Sequence, residues 1–98
     1  MNKSEIKEKL IGIIVKYLSK KLTKEQVFED LVHSIVCEEI YVVDELLISD
    51  SYFALKHILE ENISDEELKY LLNCLIGQCE YSLDDKLRLL QGNGLNRL

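Results

Sequence analysis

Proline and tryptophan are absent from this 98-residue chain, and glycine occurs only four times, at 12, 77, 92 and 94. Apart from Gly12, the first three quarters of the chain therefore carries almost none of the punctuation on which sheet turns are built. That scarcity favours helices joined by short polar turns. Cysteine is sparse and odd in number: Cys37, Cys74 and Cys79 include no CxxC pair. A disulfide framework is excluded, and reduced thiols in a cytosol are the simpler reading. Arginine is confined to Arg88 and Arg97, which argues against a phosphate reader and so against nucleic acid as partner. Long hydrophobic runs are missing too. Residues 10–15 are far too few to span a bilayer, and no small-residue cleavage site follows them. The expectation is a soluble, cytoplasmic protein that does not use a membrane.

What is present is a globular composition, 47% hydrophobic and 31% charged, in a length suited to one domain with one modest core. The charge is unevenly placed. Residues 1–24 hold seven lysines against Glu5 and Glu8, a net of +5; the remaining residues hold five basic and sixteen acidic side chains, a net of −11, and the whole chain is at −6. An acidic body of this kind is poorly suited to polyanions and well suited to a basic protein partner.

Periodicity divides the chain into helices. Asn2 and Glu5 have capping-box spacing ahead of Ile6, Leu10, Ile13, Ile14, Tyr17 and Leu18, which predicts a helix over about 3–21. Thr23 and Gln26 repeat the device ahead of Val27, Phe28, Leu31, Val32 and Ile35, predicting a helix over about 24–37. Residues 39–61 read less simply. Tyr41-Val42-Val43 has strand propensity, yet the apolar positions keep a helical rhythm, with cap residues at Ser49-Asp50-Ser51. Helices over 40–48 and 51–61 with a break between them are favoured, and one long helix is the alternative. Ser64 and Glu67 open a helix over 65–78, and Ser82 and Asp85 a short one over 83–91 that Gly92 ends; 93–98 reads as a tail. No repeat appears. The fold expected is all-α, a single-domain bundle of four to five helices.

Catalytic equipment is hard to find. No Gly-rich phosphate loop, HExxH or GxSxG occurs. His33 and Cys37, four apart on the second predicted helix, have a spacing that places two metal ligands on one face. Cys37 lies beside an apolar stripe, however, where free cysteine acts as a small hydrophobe, and core or boundary roles are favoured for both. Neither an enzyme, a metal nor any cofactor is expected. The lysines of the first helix read as a solvated face, with pairing to the acidic body as the other option.

The acids are the more informative set. Glu38, Glu39, Asp44, Glu45 and Asp50 form one cluster, Glu60, Glu61, Asp65, Glu66 and Glu67 a second, and Glu80, Asp84 and Asp85 a third. Some serve helix termini. Because the clusters fall at successive helix junctions, an antiparallel bundle is expected to pool them at one end, where they would steer a basic partner. Tyr41, Tyr52, Tyr70 and Tyr81 are interleaved; Tyr41, Tyr52 and Tyr81 are candidate interface anchors.

The runs Asp50-Ser51-Tyr52-Phe53-Ala54-Leu55-Lys56-His57 and Ser64-Asp65-Glu66-Glu67-Leu68-Lys69-Tyr70-Leu71 resemble small bacterial immunity proteins against colicin-like or contact-dependent growth-inhibition toxins. The first helix, followed by Leu22-Thr23 and a second helix centred on Phe28, is similar in layout to the colicin D type. The resemblance spans about half the chain and lies in the pattern of helices, so no binding residue is carried over from it. It implies a small acidic helical protein that binds the toxin domain of a cognate system, commonly a basic nuclease, and blocks its active site or substrate groove. A helical adaptor or homodimer is the alternative reading, and the oligomeric state is left open.

Overall fold

The computed structural model describes residues 2–82 and 84–85. Each helix start follows from local chemistry. Asn2 accepts the Glu5 N–H at 2.9 Å while Glu5 accepts the Asn2 N–H at 3.0 Å, opening α1, Lys3–Leu18. Thr23 and Gln26 make the same reciprocal pair for α2, Lys24–Ser34. Ser64 accepts the Glu67 N–H at 3.1 Å at the start of α5, Asp65–Leu75. These bonds satisfy N–H groups that a helix start leaves without partners. Between α2 and α5 lie α3, Cys37–Val43, and α4, Leu46–Lys56.

The helix ends are shorter than periodicity predicts, for identifiable reasons. α1 closes in a Schellman turn: Lys21 N–H reaches Lys16 O at 2.8 Å and Lys20 N–H reaches Tyr17 O at 3.0 Å. That turn needs a left-handed residue, and Lys20 supplies it at φ 64° without the freedom glycine would bring. α2 stops at Ser34 because Ile35 and Val36 are extended, as β-branched residues favour; this swings Ile35 into the core at 1% exposure. His33 and Cys37 therefore belong to different helices and lose the shared-face spacing read from sequence. Among the described residues no group of three potential metal ligands occurs.

The break within 39–61 falls at Asp44, not at 49–51. Asp44 is left-handed, φ 47° and ψ 51°, a conformation that Asp and Asn tolerate better than most side chains. It reverses the chain so that α3 lies back along α4, with Tyr41 against Phe53 and Cys37 beside Lys56. Tyr41-Val42-Val43 is the end of α3, not a strand. Ser49, Asp50 and Ser51 sit inside α4 and have other tasks than capping. Ser49 Oγ donates to Leu46 O at 3.2 Å, Asp50 accepts from Tyr81, and Ser51 is fully buried.

The core is an all-α packing among the described residues. α1 presents Ile6, Leu10, Ile13 and Ile14, α2 Val27 and Leu31, and α5 Leu68, Leu71 and Leu75. Each such side chain contributes about 1.5–3 kcal/mol when removed from water. α4 lies at the centre and packs against α1, α2, α3 and α5. The last predicted helix, 83–91, and the tail 93–98 lie outside the described residues apart from Asp84 and Asp85. Within the described residues Ser82 Oγ accepts the Asp85 N–H at 3.3 Å, the bond that the Ser82–Asp85 spacing predicts.

Two residues stand where the backbone favours the other's type. Gly12 lies inside α1 with no atom within 4 Å of the place a Cβ would take, whereas Lys20 occupies the left-handed turn. Gly12→Ala and Lys20→Gly should each raise stability by about 0.5–1 kcal/mol in urea unfolding, and Lys20→Ala, which gains no left-handed freedom, should not.

Candidate functional site

α4 exposes one strip of its surface. Leu47, Ile48, Ser51, Tyr52, Ala54 and Leu55 are buried, while Leu46, Ser49, Asp50, Phe53 and His57 (the C-cap) keep contact with solvent. The spacing of the second set, three and four residues, is one face of a helix. Two depressions run along it. The first, about 420 Å³, is lined by Tyr41, Asp44, Glu45, Leu46, Ser49, Asp50 and Phe53, with Ile40 beneath. The second, about 190 Å³, is lined by Asp50, Phe53, Ala54, His57, Glu61, Ile63 and Glu67. Asp50 and Phe53 belong to both, so the two form one groove with α4 as floor, α3 as one wall and the start of α5 as the other.

The groove is acidic and aromatic. Asp44, Glu45 and Asp50 from the first predicted cluster meet Glu61 and Glu67 from the second along its length. Tyr41, Phe53 and His57 form a ladder, with ring centroids 6.3 Å apart in the first pair and 6.2 Å in the second. His57 Nδ1 lies 3.0 Å from Glu60 Oε2. Tyr41 is 69% exposed at one end, beside Val42 at 82%, and Leu46 at 53% is a third open apolar side chain.

The third predicted cluster touches this groove through a tyrosine. Tyr81 donates its hydroxyl proton to Asp50 Oδ2, and burial first, then that carboxylate, pushes the Tyr81 phenol well above its ordinary pKa. Tyr70 holds the same segment from behind, accepting the Ser82 N–H at 2.8 Å and donating to Ser82 O at 3.2 Å. Glu80, Asp84 and Asp85 are exposed beyond it, as are Glu38, Glu60 and Glu66 elsewhere, and Glu39 is half-buried.

Three expectations need correction. The carboxylates gather along the side of α4, not at one end of a bundle, because α3 folds back on α4 at Asp44. Asp65 faces away from the groove, lining a separate hollow of about 270 Å³ with Lys20, Lys21 and Thr23. Tyr52 is 1% exposed and is no surface anchor. Its ring packs at 5.2 Å edge-on to Phe53 with Lys56 Nζ 5.7 Å from its centre. Burial, then Cys37 and Glu38, pushes its phenol up to about 12. Neither Phe53 nor His57 is among the residues expected at an interface. What distinguishes them is their spacing from Leu46, Ser49 and Asp50, a less apolar strip within a strongly apolar helix.

Part of the lysine segment is paired with the acidic body. Lys7 Nζ lies 3.2 Å from Glu45 Oε1 and Lys3 Nζ 3.4 Å from Glu45 Oε2. Partial burial raises the Glu45 pKa, but the hydrogen bonds and charges of Lys7 and then Lys3 outweigh it and hold the carboxyl below its ordinary value.

Comparison of the chain with protein-family models, curated proteins and solved structures found no match in any of the three.

Because its folded pKa is depressed, Glu45 contributes stability that is present above its unfolded pKa, near 4.5, and lost as pH falls through the lower folded value. With solvent around both lysines the contribution is modest, about 0.5 kcal/mol. Glu45→Gln should lower stability by that amount at pH 7 in low salt. The difference should vanish at pH 3 and shrink in 1 M salt, read from urea midpoints.

Proposed function

We propose that this chain is an immunity protein that binds and neutralises a basic toxin domain, with the α4 groove as its contact surface. The observation that carries the reading is the meeting of Asp44, Asp50 and Glu61 with Tyr41 and Phe53 along one side of α4, above the buried Glu67. Carboxylates around an apolar, aromatic centre are what a lysine- and arginine-rich surface requires. The charges orient and accelerate encounter, and the rings supply desolvated contact area. A nuclease domain, which must itself attract a phosphate backbone, has such a surface, and a carboxylate-lined wall laid over it would exclude the substrate. The resemblance of residues 50–57 and 64–71 to immunity proteins supports the same reading. In it the protein acts by occupying a site, not by catalysis, and needs no cofactor. The cytoplasm, where such a toxin acts, is the compartment it implies.

The direct test is co-expression with the C-terminal domain of the protein encoded by the neighbouring gene, scored by the toxicity of that domain alone, by growth and by co-purification. Rescue with a 1:1 complex is expected; absence of both sinks the proposal. In that complex Asp44→Asn with Glu61→Lys should slow association about tenfold at low salt and much less at high salt, with a smaller change in dissociation.

A second reading rests on a different observation. Val36 at 56% exposure, Tyr41, Val42 and Leu46 are all open apolar side chains on or beside α3, a grouping that suits association with another helix. A dimer in light scattering that persists in 1 M salt and dissociates on Val42→Asp would favour this helical-adaptor reading.

A further inference from the structure

α5 ends in a second Schellman turn. Gln78 N–H bonds Asn73 O at 2.9 Å and Gly77 N–H bonds Cys74 O at 3.1 Å, with Gly77 at φ +84°. Here the left-handed position is filled by glycine, the residue that takes it without strain. The reversal carries the chain back over the helix end and brings Cys79 to Cys74, with their sulfurs 3.3 Å apart. Cys37 is elsewhere, beside Lys56. The two neighbouring thiols differ in access: Cys74 is 6% exposed within the core, whereas Cys79 is open to solvent.

The geometry points to Cys74 and Cys79 as a reversible dithiol–disulfide modification site, closed by a peroxide oxidant that reaches Cys79 first. A disulfide needs a sulfur–sulfur distance of about 2.05 Å, and the two sulfurs already stand in contact at 3.3 Å. The Cys79 sulfur, as thiolate, attacks one peroxide oxygen. The O–O bond breaks, Cys79 becomes a sulfenic acid, and the leaving hydroxide takes a proton to become water. The Cys74 thiol then gives up its proton and its sulfur attacks that of Cys79. The new S–S bond forms as the S–O bond breaks, and a second water leaves. Two thiols lose two electrons and one peroxide gains them; a dithiol reductant reverses the change by exchange. Burial, then the Cys79 side chain, pushes the Cys74 thiol up to about 11. That keeps it from reacting with oxidant before its neighbour, and its place 3.3 Å from the Cys79 sulfur is what fits it to the resolving role.

The bond would tie the end of α5 to the segment that carries Tyr81 and Ser82. In the oxidised protein the segment two residues before Tyr81 is therefore anchored to the end of α5 by a covalent link, besides the bond of Tyr81 to Asp50. The inference does not depend on the proposed partner.

The full-length protein is treated with hydrogen peroxide, unfolded, alkylated with iodoacetamide and weighed intact. The reduced protein should take three alkyl groups and the oxidised protein one, mapped to Cys37, with restoration of three by dithiothreitol. Cys37→Ser should still close the bond. Cys79→Ser, an exchange at an exposed position, should abolish it. In glutathione buffers the folded chain should form the bond at least about tenfold more favourably than the urea-unfolded chain. Retention of three reactive thiols, oxidation of Cys79 beyond sulfenic acid with Cys74 still free, or equal closure in folded and unfolded chains would each overturn the assignment.

Discussion

The packing of α4 against four other helices is the constraint on which the rest of this molecule depends. A helix surrounded in this way must be apolar over most of its circumference, and six of its eleven residues are buried. Solvent-facing polar side chains before Lys56 have one strip left to occupy. Ser49, Asp50 and His57 lie on it for that reason, and whatever flanks α4 becomes the wall of a groove with a partly polar floor. Asp44 decides what the first wall is. Its left-handed turn lays α3 along α4, so Tyr41 comes over Phe53 and three acids of neighbouring sequence are brought to the rim. The other wall follows from the short connection into α5, which places Ile63 and Glu67 beside Ala54 and His57.

The unequal charge of the two ends of the sequence acquires a structural meaning in this arrangement. α1 runs past the α3–α4 turn, and Lys3 and Lys7 neutralise Glu45 there. Lys20 and Lys21, past the other end of α1, share a hollow with Asp65. The basic segment thus meets acids at both ends of one helix. These pairs contribute little to stability individually because water competes for them. Their larger effect is on where negative potential remains, since an acid beside two ammonium groups draws in a cationic partner weakly.

Much of the fold was legible because it is written in local chemistry. Asn2–Glu5 and Thr23–Gln26 are visible as spacings, and the bonds they form are those the spacing requires. The ends of helices were less legible, since a Schellman turn with lysine at its left-handed position carries no glycine to announce it. The 39–61 region was misread for a related reason. Ser49-Asp50-Ser51 is rich in capping residues, but capping competes with burial, and α4 has too much apolar surface on both sides of that triplet to be interrupted there. Sequence offers Tyr52 as a surface anchor because tyrosine suits both core and boundary; only its place on the buried side of α4 separates the two. The acid clusters were legible as clusters. Their meeting along the side of one helix depends on a single backbone reversal, at a residue whose type permits it without demanding it.

Within the groove the same reasoning ranks the carboxylates. Glu45 is countered by two lysines. Asp50 accepts a phenolic proton from Tyr81 and lies at the junction of both depressions, so it is held in place from outside the groove. Asp44 and Glu61 stand at the two ends and form no ion pair among the described residues. A cationic segment laid along α4 would therefore meet open charge at its ends and a fixed, partly buried acceptor at its middle, with Phe53 beside that acceptor. Such an order suits recognition: exposed end charges govern the rate of encounter, and a positioned central group with an aromatic neighbour governs how long the complex lasts. The tie between Tyr81 and Asp50 then matters more than any surface acid, because it fixes the one carboxylate that both halves of the groove share.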